Sequence, residues 1–475
     1  MPRLPGPCLK VNWGPTDRPL AINLATALRL SDTRPLLIAA AQARVQIAAA
    51  QLEKAQVLWL PNVNLGVDYI RHDGGNQEST GSLIPLGTNF FEGGASLELR
   101  VATTDAIFEP LAAKQELKSR QVDMQTARNE ALLATAEAYF NVQQARGTFA
   151  AMTDATEKAR GLVQRVESLS KSLAAPDEID RSRTLLAAVE QSAASARQQW
   201  RVASAKLTRV LRLNPTAVIV PLEPDHLQIT LIAPSRSVDE LIPIGLTNRP
   251  ELASHQAQVQ ATLVRLKEER LRPLLPSILV TGNGTPDFLY EGGIFGTGSN
   301  GLNQWSGRAD VSAQLVWKLD NLGFGNQARI RERRGQVQLA TVELYSIQDQ
   351  VAAEVAQAQA DLESAAIRVG QAETGLKQSL ETYSGNLKGL GQTTRFGDLL
   401  NLVNRPQEAV AALQQLEQAY TNYYRTVADY NRAQFHLFYA LGFPAGLLAC
   451  EQPPGNPQAV DTTRPGYMPA VCPSP

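Results

Sequence analysis

Histidine and cysteine are scarce in this chain, and neither is arranged for chemistry. His72, His226, His255 and His436 are scattered, and no HxxxH pair occurs. Cys8, Cys450 and Cys472 lie in Pro-rich terminal stretches, and no CxxC pair occurs. Zinc and thiol-redox constellations are therefore not expected. There is no Walker loop. Gly296 to Gly301 fits GxGxxG, but a dinucleotide fingerprint needs a strand before it and a helix after it. Here a polar loop continues to Trp305 and a strand follows. No nucleophile–base pair has sequence support, so no catalysis, cofactor or metal is expected. Charge of one sign is also missing. The 45 Lys+Arg against 46 Asp+Glu leave a net charge of −1, which argues against a nucleic-acid partner. No run of about 18 apolar residues occurs, so no transmembrane helix is expected.

What the chain has in quantity is Ala, Leu, Gln, Arg and Glu, the composition of long helices. The ends differ from the rest. Residues 1–19 are Pro-rich, read as disordered, and show no apolar signal-peptide core. Export would then imply a leader already removed or a late start. Cys8 follows Pro7, where lipid attachment would want a small residue. Residues 449–475 read as a disordered Pro-rich tail. A Cys450–Cys472 disulfide is compatible with an oxidising compartment, but spacing does not establish it.

The most informative pattern is a duplication. Arg34-Pro35 is followed by Leu60-Pro61, and Arg249-Pro250 by Leu275-Pro276, with both proline pairs 26 apart and the copies offset by 215. Leu37 matches Leu252 and Glu53 matches Glu268 at that offset. At an offset of 216, Leu99 matches Leu315, Phe108 matches Phe324 and Ala112 matches Ala328. Two copies are too few for a solenoid, so a duplicated module within one wall is expected. Each copy reads as a helix, two strands separated by a polar loop, a very long helix, a tip and a helix running back. The first repeat is read as 20–213, with strands about 62–71 and 95–104 and helices about 108–172 and 177–213. The second is read as 239–448, with strands about 277–284 and 309–319 and helices about 326–388 and 398–442. Between them, 214–238 holds β-rich pieces at 217–220 and 227–232 among several prolines, expected to wrap the helices as a small mixed layer.

The strands alternate. Val63, Leu65, Val67 and Tyr69 point one way and Asn62, Asn64, Gly66 and Asp68 the other. Leu97 and Leu99 oppose Ser96, Glu98 and Arg100, and Leu315 and Trp317 oppose Gln314 and Lys318. About 10 residues of such alternation suit a tilted transmembrane strand. An ordinary antiparallel sheet with one wet face fits the same pattern. Aromatics at the strand ends (Trp59, Tyr69, Phe90, Phe91, Phe108, Tyr290, Trp305, Trp317, Phe324) favour the membrane, because such girdles sit at its interfaces. So do the long Gly-, Asn- and Ser-rich loops 71–92 and 284–307 on one side only. Four strands cannot close a barrel, and open edges are forbidden in lipid. Strands in a membrane would therefore require several chains to share one barrel.

No proline interrupts 111–175 or 288–405. Helices of roughly 60 residues would span about 90 Å. Pro110 fits a first helical turn. Leu344, Ile347, Val351, Val355, Ala358, Leu362, Ala365, Val369 and Ala372 make a coiled-coil-like stripe. Tyr420, Tyr423, Tyr424, Tyr430, Phe435, Phe438 and Tyr439 read as packing between helices, and Arg329 to Arg334 as a solvated helix face.

These elements resemble the TolC-like outer-membrane efflux proteins. The matching blocks are 33–45 with 59–69 in the first copy. In the second they are 248–260, 272–282, 319–340 and 427–442, so the resemblance runs over about 20–448. It implies a mainly α fold with β, a duplicated helix–strand–strand–helix module. In it a long α-helical tunnel joins a transmembrane β-barrel shared by a homotrimer in the outer membrane. It implies a passive exit duct for efflux or type I secretion, working with a periplasmic adaptor (membrane fusion) protein, an inner-membrane pump and outer-membrane lipids. The family's pore narrows at the helical tips through an Asp-apolar-apolar-Asp stretch. Asp398-Leu399-Leu400-Asn401 stands there; Asp398 matches and Asn401 departs. Glu178 stands at the comparable tip of the first copy. Asp398 as a helix cap is compatible with that role. By the same resemblance Leu173, Ala174, Leu390 and Gly391 are the adaptor-contact candidates. The alternative is a soluble coiled-coil scaffold or a periplasmic adaptor, although an adaptor would show one hairpin beside a lipoyl-like domain.

Overall fold

The computed structural model describes residues 18–33, 35–169, 176–281, 292–299, 301–309, 311–390, 392–396, 399–402 and 404–443. In chain order these form β1 (Arg18–Ile22), α1 (Leu24–Thr33), α2 (Leu36–Gln56), β2 (Asn62–Gln77), β3 (Leu83–Val101), α3 (Thr103–Leu169) and α4 (Pro176–Val210). Then come β4 (Ala217–Pro221), α5 (Val238–Asn248), α6 (Pro250–Leu271), β5 (Ser277–Thr281), β6 (Gly292–Gly298), β7 (Gln304–Ala309) and β8 (Ser312–Val316). The chain finishes with α7 (Phe324–Gly389), β9 (Thr393–Phe396), β10 (Leu399–Leu402) and α8 (Pro406–Ala440). Of the segments expected to be disordered, Arg18 and Pro19 instead begin β1; the rest, and the chain-terminal cysteines, lie outside the described residues. The chain divides into two compact units: one from 1–42, 123–252 and 347–475, the other from 43–122 and 253–346.

In the first unit the helices pack through heptads. On α7 the buried positions include the series Val351, Val355, Ala358, Leu362, Ala365, Val369, Ala372 and Leu376. Their steps alternate four and three, the 3.5-residue period that keeps a seam facing its partner by supercoiling. On α8 the series Ala409, Leu413, Leu416, Tyr420, Tyr423, Val427, Tyr430 does the same. One core joins Ala372 and Leu376 of α7 and the α8 series from Ala409 to Val427 to Ala155, Ala159, Leu162 and Val166 of α3 and Leu185 and Val189 of α4, and a second joins Val355, Ala358, Leu362, Ala365 and Val369 to Tyr430 and Leu437 of α8. Fully burying one such leucine stabilises the fold by about 1.5–3 kcal/mol. The tyrosine band of α8 is packing: Tyr420, Tyr423, Tyr424, Phe435 and Phe438 are buried. Tyr424 sits over Gly147 of α3, where an added Cβ would lie 2.4 Å from the ring.

The segment between the repeats departs from expectation. β1 and β4 pair in parallel, but 227–232 is not a strand. Side chains of α8 take its backbone groups instead. Asn431 Oδ1 accepts from Ile229 N at 2.9 Å, and Gln434 Oε1 accepts from Leu231 N and Ile232 N at 3.0 and 2.9 Å. Asn431 Nδ2 donates to Leu227 O at 2.7 Å. Buried backbone groups must be paired with something, and two amides here do the work of a neighbouring strand.

In the second unit the strands are longer than expected. The stretch read as a polar loop, 71–92, is mostly ladder: β2 and β3 pair without a break from Asn62 opposite Glu98 to Gln77 opposite Leu83. A short turn closes the hairpin, with Gly81 at φ +86°. The 284–307 loop likewise contains β6 and the start of β7. β3 carries β2 on one side, and β5 and β6 on the other; β8 pairs with β5 and β7 with β6. Pro110 is not in the first turn but eight residues into α3, because that helix starts at Thr103. A proline there cannot bond the carbonyl four residues back. That carbonyl, Ala106 O, instead accepts from the Trp59 indole Nε1 at 3.2 Å.

Candidate functional site

The strand register unites the expected lipid-facing residues on one surface. Directly paired residues of an antiparallel ladder share a face. Val63 is opposite Leu97 and Tyr69 opposite Phe91, Leu99 is opposite Val280, and Ile278 is opposite Leu315. Odd positions of β2, β3 and β8 and even positions of β5 therefore lie together. Val63, Leu65, Val67 and Tyr69 are 63%, 76%, 69% and 55% exposed, and Leu315 and Trp317 are exposed as well. Leu99 is half-buried, and Leu97 shares the face by register. Large apolar side chains exposed together on one sheet face mark a surface that meets a membrane or a partner.

Aromatics edge this surface. Phe91 and Trp305 rings lie 5.6 Å apart, and the Tyr69 hydroxyl donates to Asn89 Oδ1 at 2.8 Å. Trp317 lies past the end of β8, at the opposite margin. From Phe91 to Val101, β3 covers about 33 Å along the strand. At a 40° tilt that is roughly 25 Å of height, the thickness of an outer-membrane apolar band. Among the described residues no helix is long and apolar enough to cross a membrane.

Beside the strands, α6 is tied to α3 by charge. Arg272 Nη2 reaches Asp105 at 2.8 Å and Glu268 at 2.6 Å, and Arg265 Nη2 reaches Glu116 at 2.7 Å. Burial, with Asp105 beside it, pushes the Glu268 carboxyl up to about 7 against the pull of Arg272. The second copy begins its long helix differently. Asn321 and Leu322 are left-handed, at φ 50° and 57°, and Gly323 at φ 92°. Leu322 and Phe324 are then 91% and 73% exposed. In the Arg329–Arg334 run, Arg329 pairs with Asp320 and Arg333 Nη1 donates to Gln336 Oε1 at 2.8 Å.

At the helical tip the expected residues separate. Asp398, Leu173, Ala174 and Gly391 lie outside the described residues. Asn401 is not at the head of a helix. It stands in β10, opposite Thr394 of β9, because α8 starts only at Pro406 and the residue before a proline avoids helix. Glu178 is in the first turn of α4, where the helix dipole favours an acid. Its carboxylate meets Arg181 Nη1 at 3.2 Å, so it is not a free charge. Arg181 Nη1 also donates to Gln407 Oε1 of α8 at 3.4 Å. Leu390 is a correction as an adaptor contact. It is 1% exposed and packs in the core, while Arg165 Nη2 donates to its carbonyl at 3.3 Å. Its side chain holds the tip together rather than presenting it. The sequence reading missed Arg165, Arg181, Asn386 and Asn404. Asn404 donates to Asn386 Oδ1 at 3.3 Å and approaches Gly389 so closely that a Cβ there would lie 2.4 Å from its Nδ2. Only the glycine at the helix end hinted at this. Among the described residues no group of His, Cys, Asp or Glu could hold a metal ion.

Residues 30–211 match the model of the outer membrane efflux protein family. No curated protein matches the sequence. Solved structures match nearly end to end. The CmeC outer membrane channel of Campylobacter jejuni has a TM-score of 0.70 at 16% identity, covering 88% of this chain and 85% of that one. The open-state MtrE outer membrane channel of Neisseria gonorrhoeae has a TM-score of 0.70 at 15% identity, covering 89% of each chain. The outer membrane protein VceC of Vibrio cholerae has a TM-score of 0.66 at 13% identity, covering 88% of this chain and 96% of that one.

Proposed function

We propose, from the match of residues 30–211 to the outer membrane efflux protein family and from the fold shared with the outer-membrane channels, that this chain is a passive exit duct. It would serve a tripartite efflux or type I secretion assembly, with three copies closing one barrel in the outer membrane. The observation that carries this is the apolar face together with its two free edges. Among the described residues β2 pairs only with β3, and β8 only with β5. In lipid each unpaired backbone group costs several kcal/mol, so β8 of one copy must meet β2 of the next.

The duplication supplies a template for that seam. Within the chain, Leu99 of the first copy lies opposite Val280 of the second. Shifting these by 216 and −215 places Leu315 of one copy opposite Leu65 of the next, to within one two-residue step of the pleat. Both belong to the apolar face, so the derived register keeps that face continuous. A one-residue slip would turn it inside out. The test is a Leu65→Cys/Leu315→Cys variant with the native cysteines replaced by serine. Oxidation in membranes should give a covalent trimer ladder, and Asn64→Cys with Leu315→Cys should not. No crosslink from any same-parity pair would contradict the shared barrel.

The duct itself supplies no energy. An inner-membrane pump and a periplasmic adaptor complete the assembly in this reading. The adaptor would meet the tip around Leu173, Ala174 and Gly391. Asp398 of three copies would form the acidic constriction, with Asn401 uncharged and Glu178 neutralised by Arg181. Asp398→Ala should alter single-channel conductance and its dependence on acid; unchanged currents would remove Asp398 from the gate.

A further inference from the structure

The segment between the repeats is held by side chains in three sections. α3 holds the first through Tyr139, Gln143 and Arg146, which share one helix face at i, i+4 and i+7. Gln143 Nε2 donates to Pro224 O at 2.6 Å and Arg146 Nη1 to Pro221 O at 2.5 Å. The Tyr139 hydroxyl donates to Glu223 Oε2. Glu223 Oε1 in turn accepts from Leu24 N, the first residue of α1, at 2.9 Å. α8 holds 227–232 through the amides of Asn431 and Gln434. α7 holds Pro234 O and Arg236 O through Gln359 Nε2, at 2.8 Å each. The bonds of the last two sections come from neutral amides, whereas the first includes carboxylates and a guanidinium.

Asp225 is the misfit of that first section. Its side chain is 14% exposed, and among the described residues no donor bonds its buried Oδ1. Arg146 Nη1 stands 3.6 Å from that oxygen, an ion pair too long for a hydrogen bond. The same nitrogen is already bonded to Pro221 O. Around Asp225 stand Tyr139 and Arg146 from α3, Tyr424 from α8 and Glu223 of the segment itself. Of these only Arg146 is a cation. Burial, with acids close by, pushes both tyrosine hydroxyls up, so both stay neutral. A buried carboxylate short of hydrogen bonds is costly. Burial accordingly pushes the Asp225 carboxyl up to about 6, against the pull of Arg146.

We propose that Asp225 makes the α3 section of this segment a proton-operated clasp, tight in acid and looser at neutral pH. The neutral carboxyl docks without a stranded charge; the carboxylate does not. The docked group keeps its proton to a higher pH than a solvated one, which titrates near 3.9. Docking therefore takes up a proton between about pH 4 and 6. The clasp weakens as pH rises through that window and levels off above it. Loosening frees 221–225 and the head of α1 from α3, while the amide-held sections on α8 and α7 stay shut. The clasp is built within one chain and does not depend on the exit-duct reading.

The test is amide hydrogen exchange of the purified full chain in detergent at about pH 5 and 8, corrected for intrinsic rates. Leu222 N donates to Ile22 O at 3.2 Å and, with Leu24 N, reports on the clasp. Protection of both should fall about tenfold from the lower pH to the higher. Ile229, Leu231 and Ile232, held by neutral amides, should barely change. Asp225→Asn should abolish the fall and keep protection high at the upper pH. Equal protection of Leu222 at both pH values in the unaltered chain would overturn the clasp. So would an undiminished fall in Asp225→Asn, or an equal fall at Ile229, Leu231 and Ile232, since either places the titrating group elsewhere.

Discussion

The two strand-to-helix junctions of this chain come from one duplicated module, yet they differ. In the first copy α3 follows β3 at once, Phe108 is 7% exposed and Ala106 is buried. Thr103 Oγ1 donates to Pro276 O at 2.6 Å, and α6 of the second copy lies against the junction through Arg272 and Asp105. In the second copy a left-handed turn precedes α7, and Phe324, the counterpart of Phe108, is open to solvent. The difference teaches where the missing partner is. The first junction is sealed by the chain's own second module. On the exit-duct reading, the first module of another copy would seal the second. Glu268 and its counterpart Glu53 repeat the contrast: one is buried, the other exposed.

The largest effect should come from the aromatic pair. Phe108→Ala should cost about 3–5 kcal/mol of fold stability, read as a fall in the melting midpoint of purified protein. Phe324→Ala should barely change the fold of a single chain, yet loosen the oligomer in light scattering. Equal loss of fold stability in both variants would break the comparison.

The glutamates should differ next. The folded Glu268 carboxyl titrates higher than an unfolded one, so the native state holds the extra proton between about pH 5 and 7. Stability therefore falls as pH rises through that window and levels off above it. Glu268→Gln should flatten the curve and add about 1–2 kcal/mol at pH 8. Glu53→Gln should leave a single chain within about 0.5 kcal/mol. Denaturant midpoints across pH would show both, and a wild-type curve rising from pH 5 to 8 would reverse the sign.

A smaller effect concerns Trp59 and Pro110. Their counterparts by the repeat are Leu274, which has no side-chain donor, and Asn326, which keeps its backbone N–H. The proline frees a carbonyl and the tryptophan takes it, in one copy only. Trp59→Phe should cost about 1 kcal/mol, and much of that should vanish in a Pro110→Ala background. An unchanged cost in that background would mean Trp59 acts by packing alone.

Much of this was legible in the sequence, for identifiable reasons. The proline spacing exposed the duplication, and period-two alternation gave the facing of Val63 to Tyr69 before any register was known. The three–four stripe of α7 proved to be a heptad seam from Val351 onward. Other features carry no local signal. The ladder from Arg71 to Gln77 is rich in Gly and Asn, and it is held by pairing with β3 rather than by propensity. Residues 227–232 have strand-like composition, but amides about 200 positions away take their backbone groups. Leu390 read as a tip residue because it follows a long helix; three-dimensional packing buries it. Asn401 fell in a hairpin because Pro406 delays the start of α8.

The most direct measurement is the mass of the purified protein, by light scattering corrected for bound detergent. With one barrel shared by three copies, as proposed, the particle should hold three chains and leave solution once detergent is withdrawn. A stable single chain in plain buffer would contradict the account.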